Sequence, residues 1–281
     1  MTAARIEGRP SLLRSALRVF DLSLGQMLWS RRSVFLAVLV GGPVALATVI
    51  YVATTFQPAA LPRVNGARVG GSALFGMMIW LLYIRFIVPV LGVFYGTSLI
   101  ADEIDDKTIT YLFVRPIPRA AVLLGKYLAY LACTTLLILP SVVIVYFLIV
   151  PIGGGGIGAA FPALLADLGM LAVGLAAYGA VFAFVGSRIK RPLLVGLVYA
   201  FGFEPGVLLF PGYLKRATVG YYLQALVPHA MPQDSAINVL MQIFQEVPTV
   251  ATSLICLTAI TVAGLWLAGR AVENKEYVLE Q

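Results

Sequence analysis

The sequence predicts an all-α integral membrane protein with six transmembrane helices and both termini in the cytoplasm. Hydrophobic residues make up 60% of the 281-residue chain, and only 12% of the residues are charged. Soluble domains carry roughly 25% charged residues and expose far less apolar surface. A helix of about 20 apolar residues crosses a bilayer. The apolar runs of this chain lie at about 34–56, 76–100, 121–150, 166–186, 192–210 and 248–268.

The distribution of lysine and arginine predicts the orientation of these helices. Of the 20 basic residues, 15 lie in segments on one side of the predicted membrane and four on the other, with Arg85 inside a run. Cytoplasmic segments of membrane proteins carry the excess of basic residues. Both termini and the connection between the second and third runs are therefore predicted to be cytoplasmic. The net charge of +7 follows from this topology, and we predict no nucleic-acid partner.

The first predicted element is a helix from Ser11 to Trp29, within a cytoplasmic N-terminal segment of residues 1–33. Its apolar side chains lie near one face, at Leu13, Leu17, Phe20, Leu24, Met27 and Leu28. Charged side chains occupy the rest of the helical wheel. This pattern is typical of an amphipathic helix that lies in the membrane interface. An ordinary juxtamembrane helix that only anchors the chain is the alternative.

The six runs form one predicted transmembrane domain over residues 34–268, and residues 269–281 form a cytoplasmic tail. Pro43, Pro89 and Pro140 fall inside the first three runs. A membrane helix tolerates proline because neighbouring groups can satisfy the freed carbonyl. We therefore expect kinked helices at these positions.

The residues present exclude several kinds of chemistry. Cys133 and Cys256 lie in apolar runs as small hydrophobic residues, and His229 is the single histidine, so we predict no metal and no cofactor on this chain. The glycine-rich connection from Pro151 to Leu165 is predicted to be a loop outside the membrane, with a flexible turn at 153–156. Its four consecutive glycines lack the Lys-Ser/Thr of a phosphate loop, and HExxH and GxSxG motifs are also missing. We predict that the chain is not an enzyme.

The connection between the second and third runs, at about 101–120, concentrates charges of both signs. Its acidic residues are Asp102, Glu103, Asp105 and Asp106. They precede apolar residues, as at a helix N-terminus, and Pro116 and Pro118 end the predicted short helix. Held between two spanning helices, this turn lies at the water surface and can dock into a groove of a soluble partner. An inert connector is the alternative.

This turn resembles the cytoplasmic turn of permease subunits of type-2 ABC exporters, including the permease of the nitrous-oxide-reductase maturation system. That turn has a glutamate, Gly-Thr four residues later, then Pro-Ile-Ser-Arg and Gly-Lys. The matching residues of this chain are Glu103, Thr108, Pro116, Ile117, Arg119, Gly125 and Lys126. Lys107 stands in place of the glycine and Pro118 in place of the serine. The six-span layout and the N-terminal helix also match, so the resemblance covers nearly the whole chain.

The resemblance implies a permease subunit of an ATP-driven exporter in the bacterial plasma membrane. It implies two copies of a separate ATP-binding subunit, which would hold ATP and Mg²⁺, and a second copy of the permease in a homodimer. It also implies a re-entrant hairpin after the fifth span, for which FEPGVLLFPG at 203–212 is suited. The residues implied to couple the chain to the ATPase are Glu103, Lys107, Thr108, Tyr111, Leu112, Pro116 and Arg119.

Two charged residues deep in the predicted membrane segments are Arg85, in the second run, and Glu204, in the fifth. At 1.5 Å per residue they lie about 24 and 18 Å from the cytoplasmic ends of their helices. An isolated charge there costs on the order of 3 kcal/mol, so we expect the two to pair or to contact water. Snorkelling of Arg85 and a broken helix at Glu204 are the alternatives. An ion-coupled secondary transporter that uses this pair is the second function that the sequence allows.

Overall fold

The computed structural model of the chain describes residues 12–29, 31–57, 63–64, 67–68, 70–100, 119–209, 213–227 and 248–274. The helices in chain order are α1 (Leu12–Leu28), α2 (Arg31–Phe56), α3 (Gly71–Ile100), α4 (Arg119–Ile149), α5 (Ile157–Arg188), α6 (Pro192–Leu209), α7 (Val219–Gln224) and α8 (Val250–Asn274). A 3₁₀ turn, Tyr213–Ala217, precedes α7. Between α2 and α3, the two-residue strands β1 (Arg63–Val64) and β2 (Ala67–Arg68) pair antiparallel.

Among the described residues, five helices are long and apolar enough to cross a membrane: α2, α3, α4, α5 and α8. They correspond to five of the six apolar runs, and this agreement supports the predicted multi-pass, all-α membrane protein. The fifth run, 192–210, forms α6, whose apolar part Pro192–Val207 is shorter than the others. The count of six spans and the side on which each terminus lies stay predictions.

The loop predicted from Pro151 to Leu165 is wrong in its extent, because α5 already begins at Ile157. The alanine and leucine residues after that point favour a helix. Only the preceding glycines need a turn: Gly153 and Gly154 have φ angles of 74° and 85°. Residues with a side chain rarely adopt these angles, so the turn depends on glycine.

Helix α1 forms where the amphipathic pattern predicts it and packs closely against α4. A Cβ atom added at Gly125 of α4 would lie 2.5 Å from the carbonyl oxygen of Ala16. Ala16 is buried, whereas Leu17 and Leu28 are 57% and 37% exposed. The apolar side chains of α1 are therefore divided between the contact with α4 and the outer surface. The position of this helix in a membrane interface stays a prediction.

The backbones of α3 and α5 lie in direct contact. A Cβ atom added at Gly186 of α5 would lie 2.3 Å from the carbonyl oxygen of Thr97 on α3. Helix α4 is joined to α5 by a hydrogen bond, which the hydroxyl of Tyr130 donates to the carbonyl of Leu175 at 2.9 Å. These contacts make α3, α4 and α5 the closely packed centre of the molecule.

Two of the helices contain π-helical turns, which are rare in proteins and often mark functional sites. In α3 they span Ile79–Ile87 and Gly92–Gly96, and in α6 they span Tyr199–Phe203. The two helices meet at these turns, since the ring centroids of Phe86 and Phe201 lie 5.8 Å apart. This contact positions the site described next.

Helices α2 and α8 lie at the outside of the bundle and expose many of their apolar side chains. Val38 on α2 and Ile255 on α8 are each 70% exposed. Apolar surface of this extent suits lipid or another protein and is unsuited to water.

Candidate functional site

Glu204 begins a new α-helical turn directly after the π-helical turn of α6, and only 3% of its surface is exposed. Its carboxylate accepts two hydrogen bonds from other parts of the chain. The hydroxyl of Tyr178 on α5 donates to Oε2 at 2.6 Å, and the backbone N–H of Gly220 in α7 donates to Oε1 at 2.5 Å. Hydrogen bonds to an ionised group are roughly twice as strong as neutral ones. One buried carboxylate therefore joins α5, α6 and α7.

The segment that brings Gly220 to this carboxylate is held by local hydrogen bonds. After α6 the chain enters the 3₁₀ turn, where the hydroxyl of Thr218 donates to the carbonyl of Lys215 at 2.8 Å. The hydroxyl of Tyr222 donates to the carbonyl of Arg216 at 2.9 Å. These bonds fix the start of α7, so its second residue faces Glu204.

Arg85 lies in the first π-helical turn of α3, with its guanidinium carbon 5.2 Å from the centre of the Trp80 ring. Arg85 and Glu204 line the same cavity of about 120 Å³, together with Tyr178 and Gln224. The positive charge of Arg85 acts on the carboxylate across this space. The tertiary structure thus brings the two intramembrane charges of the sequence to one place. A direct ion pair between them stays a prediction.

Sequence reasoning missed several residues of this region. Tyr178 carries no signal, because nothing in the sequence distinguishes it from the other tyrosines of the apolar runs. Asp167 on α5 is fully buried, and Lys215, before α7, is 8% exposed. Asp167 was recognisable, since an ionisable residue inside an apolar run is a functional candidate by default.

A second, apolar cavity of about 480 Å³ lies between α2 and α4. Small residues of α2, including Gly41, have side chains too short to fill this space. Its polar lining residue Ser141 has its hydroxyl engaged by the hydroxyl of Tyr83 at 2.5 Å and by the carbonyl of Val40 at 3.2 Å. The lining of this cavity therefore offers an essentially hydrocarbon surface.

The residues predicted to couple to an ATPase fall almost entirely outside the described part of the chain. They are Glu103, Lys107, Thr108, Tyr111, Leu112 and Pro116. Arg119 is the first residue of α4. The flanking positions are buried, with Ile100 at the end of α3 and Ala121 at the start of α4. The charged connection therefore begins and ends in packed helices.

Among the described residues, no group of three or more histidine, cysteine, aspartate or glutamate side chains could hold a metal ion. The two cysteines, Cys133 and Cys256, are free thiols.

Comparison with known proteins gives one family match. The family model described as ABC-2 family transporter protein matches residues 35–270. No curated protein matches the chain. The matched region covers nearly all of the five long apolar helices, and it contains the cavity that Arg85 and Glu204 share. It also contains the charged connection between α3 and α4. The chain therefore belongs to the ABC-2 transporter family, as a multi-pass membrane component.

Proposed function

We propose that this chain is a permease subunit that couples ATP hydrolysis by a separate subunit to movement of a substrate out of the cytoplasm. The observation that carries the proposal is the family match over residues 35–270, a range that includes the charged connection at 101–118. In the proposed complex, that connection docks into the ATP-binding subunit. ATP and Mg²⁺ are held by the partner.

The packing of the flanking helices supports this role. A force on the connection acts first on the end of α3 and the start of α4. Close backbone contact at Gly186 and Thr97 joins α3 to α5, and the carboxylate of Glu204 joins α5 to α6 and α7. Packed interfaces transmit displacements because protein interiors have low compressibility. Movement at the connection would thus reach the cavity of Arg85.

The topology and assembly belong to the same proposal. Both termini lie in the cytoplasm, α6 is the fifth span, and the segment through α7 is a re-entrant hairpin. Two permease copies and two ATP-binding subunits form the transporter in a bacterial plasma membrane. The second copy packs through the second and fifth spans, α3 and α6, and the exposed faces of α2 and α8 are available to lipid. The resemblance of the charged connection favours the permease of a nitrous-oxide-reductase maturation system among the members of the family.

Site-directed crosslinking tests the docking. Single cysteines are placed at 104–113 in a chain whose Cys133 and Cys256 are replaced by alanine, and the chain is expressed with its ATP-binding subunit. We expect crosslinks to the ATPase from this segment, and loss of coupling between hydrolysis and transport in Glu103→Gln and Arg119→Gln. A cysteine at Gly70, which is exposed beside the turn between α4 and α5, is the control. Crosslinking from Gly70 alone would reject the docking.

An ion-coupled secondary transporter is the second candidate, because Arg85 and Glu204 line one cavity within the membrane helices. In that case transport in proteoliposomes would follow an imposed ion gradient without nucleotide. The ATP-driven permease requires nucleotide and a copurifying ATPase.

A further inference from the structure

The cavity between α3, α5, α6 and α7 holds a guanidinium whose donors are available. Arg85 is partly buried, and the ring of Trp80 is its close partner among the residues that the structure describes. A guanidinium carries five N–H donors and no acceptor. A cation–π contact of this kind uses none of these donors in a conventional hydrogen bond. Because Arg85 lines the cavity, these donors can reach a group that enters it.

The nearby Glu204 does not engage the N–H donors of this guanidinium. Both oxygens of Glu204 already accept strong hydrogen bonds, one from Tyr178 and one from the backbone of Gly220. These two donors bind the carboxyl group in its buried position. The carboxyl group is thus held by the fold itself, and among the described residues no hydrogen bond or ion pair joins it to Arg85.

We propose that this cavity binds a phosphodiester monoanion through the guanidinium of Arg85, with the side-chain amide of Gln224 as a second donor. The planar guanidinium matches two oxygens of a phosphodiester with two parallel hydrogen bonds. Glu204 selects against a second negative charge, because like charges repel strongly at low dielectric. This ligand class goes beyond the proposed function, which assigns no substrate.

The volume of the cavity limits what can enter. A volume of about 120 Å³ exceeds what a single water molecule needs and admits only a small group. A head group fits this space, whereas an acyl chain would remain outside it. The ligand is therefore a small anion or the head group of an amphipathic molecule.

Trp80 supplies a built-in reporter for the test. The full-length chain is prepared in maltoside detergent micelles, which carry no phosphate group, with Trp29→Phe and Trp266→Phe, which leaves Trp80 as the single tryptophan of the three. Dimethyl phosphate probes a free monoanion, and short-chain phosphatidylglycerol probes the same group on a lipid. We expect a saturable change in Trp80 emission. Arg85→Gln should weaken binding by about tenfold or more, since it removes hydrogen bonds to a charged group.

The chain offers a matched control. Arg270 stacks over Trp266 at 4.5 Å, and neither lines the cavity. Arg270→Gln should leave the affinity unchanged. If Arg85→Gln does not give folded protein, Arg85→Lys replaces it, because lysine keeps the charge and loses the two-pronged geometry. It should also bind more weakly.

The outcomes separate the possible ligands. Saturation by both probes indicates a site for free anions, and saturation by phosphatidylglycerol alone indicates a lipid head group. Absence of saturation with either probe, or equal affinity in the folded Arg85 variant, would overturn the proposal. The measurement needs neither nucleotide nor an ATPase, so its failure would leave the crosslinking test of the permease role unaffected.

Discussion

Replacing Tyr178 by phenylalanine removes one of the two hydrogen bonds to the buried carboxylate of Glu204. The tyrosine hydroxyl and Oε2 are 2.6 Å apart, and the two residues are 2% and 3% exposed. A hydrogen bond to a charged group contributes about 1.5–3 kcal/mol. The free energy of unfolding should therefore fall by about 2 kcal/mol, which corresponds to a melting temperature lower by about 4–8 °C for a domain of this size.

The assay is thermal unfolding of the purified chain in detergent, followed by tryptophan fluorescence. Glu204→Gln keeps the shape of the side chain but removes the charge and places an amide donor near other donors, so a similar loss is expected. In the double variant the losses should not add, because both changes break the same interaction.

Tyr199→Phe is the matched control. Tyr199 stacks on Phe203 with ring centroids 5.6 Å apart, and among the residues that the structure describes its hydroxyl has no hydrogen-bond partner. Tyr199 is partly buried, and its replacement by phenylalanine keeps the ring packing and breaks no hydrogen bond, so we expect a change within about 0.5 kcal/mol. If Tyr178→Phe lowers the melting temperature no more than Tyr199→Phe does, the carboxylate does not hold α5, α6 and α7 together.

Three further predictions concern packing and charge. Gly186→Ala should destabilise the chain by about 1–3 kcal/mol in the unfolding assay, because the added methyl group meets the backbone of α3. Gly169→Ala on the same helix is the control: its methyl group meets nothing within 4 Å, so this change should be neutral or slightly stabilising. A double-mutant cycle on assembly and transport compares variants that lack the charge of Arg85, of Glu204 or of both. Either single change should be more harmful than the double change, because it leaves one charge uncompensated. Additive effects would show that the two residues do not interact. Tyr83→Phe should cost about 1 kcal/mol by breaking its buried 2.5 Å contact with α4, and an unchanged melting temperature would contradict this.

The apolar runs were sufficient to predict the fold class, because the cost of placing a polar group in hydrocarbon applies to each residue separately. The same reasoning correctly located α2, α4 and α8. It was less accurate at Ile157: the loop predicted from the glycine-rich stretch was drawn as far as Leu165, although the residues from Ile157 onward form a helix. It also left Asp167 unexamined, although this residue is buried inside a long apolar helix.

The sequence by itself determined that the chain is a membrane protein, where its spanning helices lie, and that Arg85 and Glu204 are exceptional within them. Only the tertiary structure decided which groups surround these charges. Tyr178 lies on a different helix from Glu204, and the N–H of Gly220 is a backbone group that almost any residue supplies. The rotation and spacing of the helices select these partners, and close contacts such as Gly186 against Thr97 set that geometry. Such contacts join residues far apart in the chain, so no local pattern contains them.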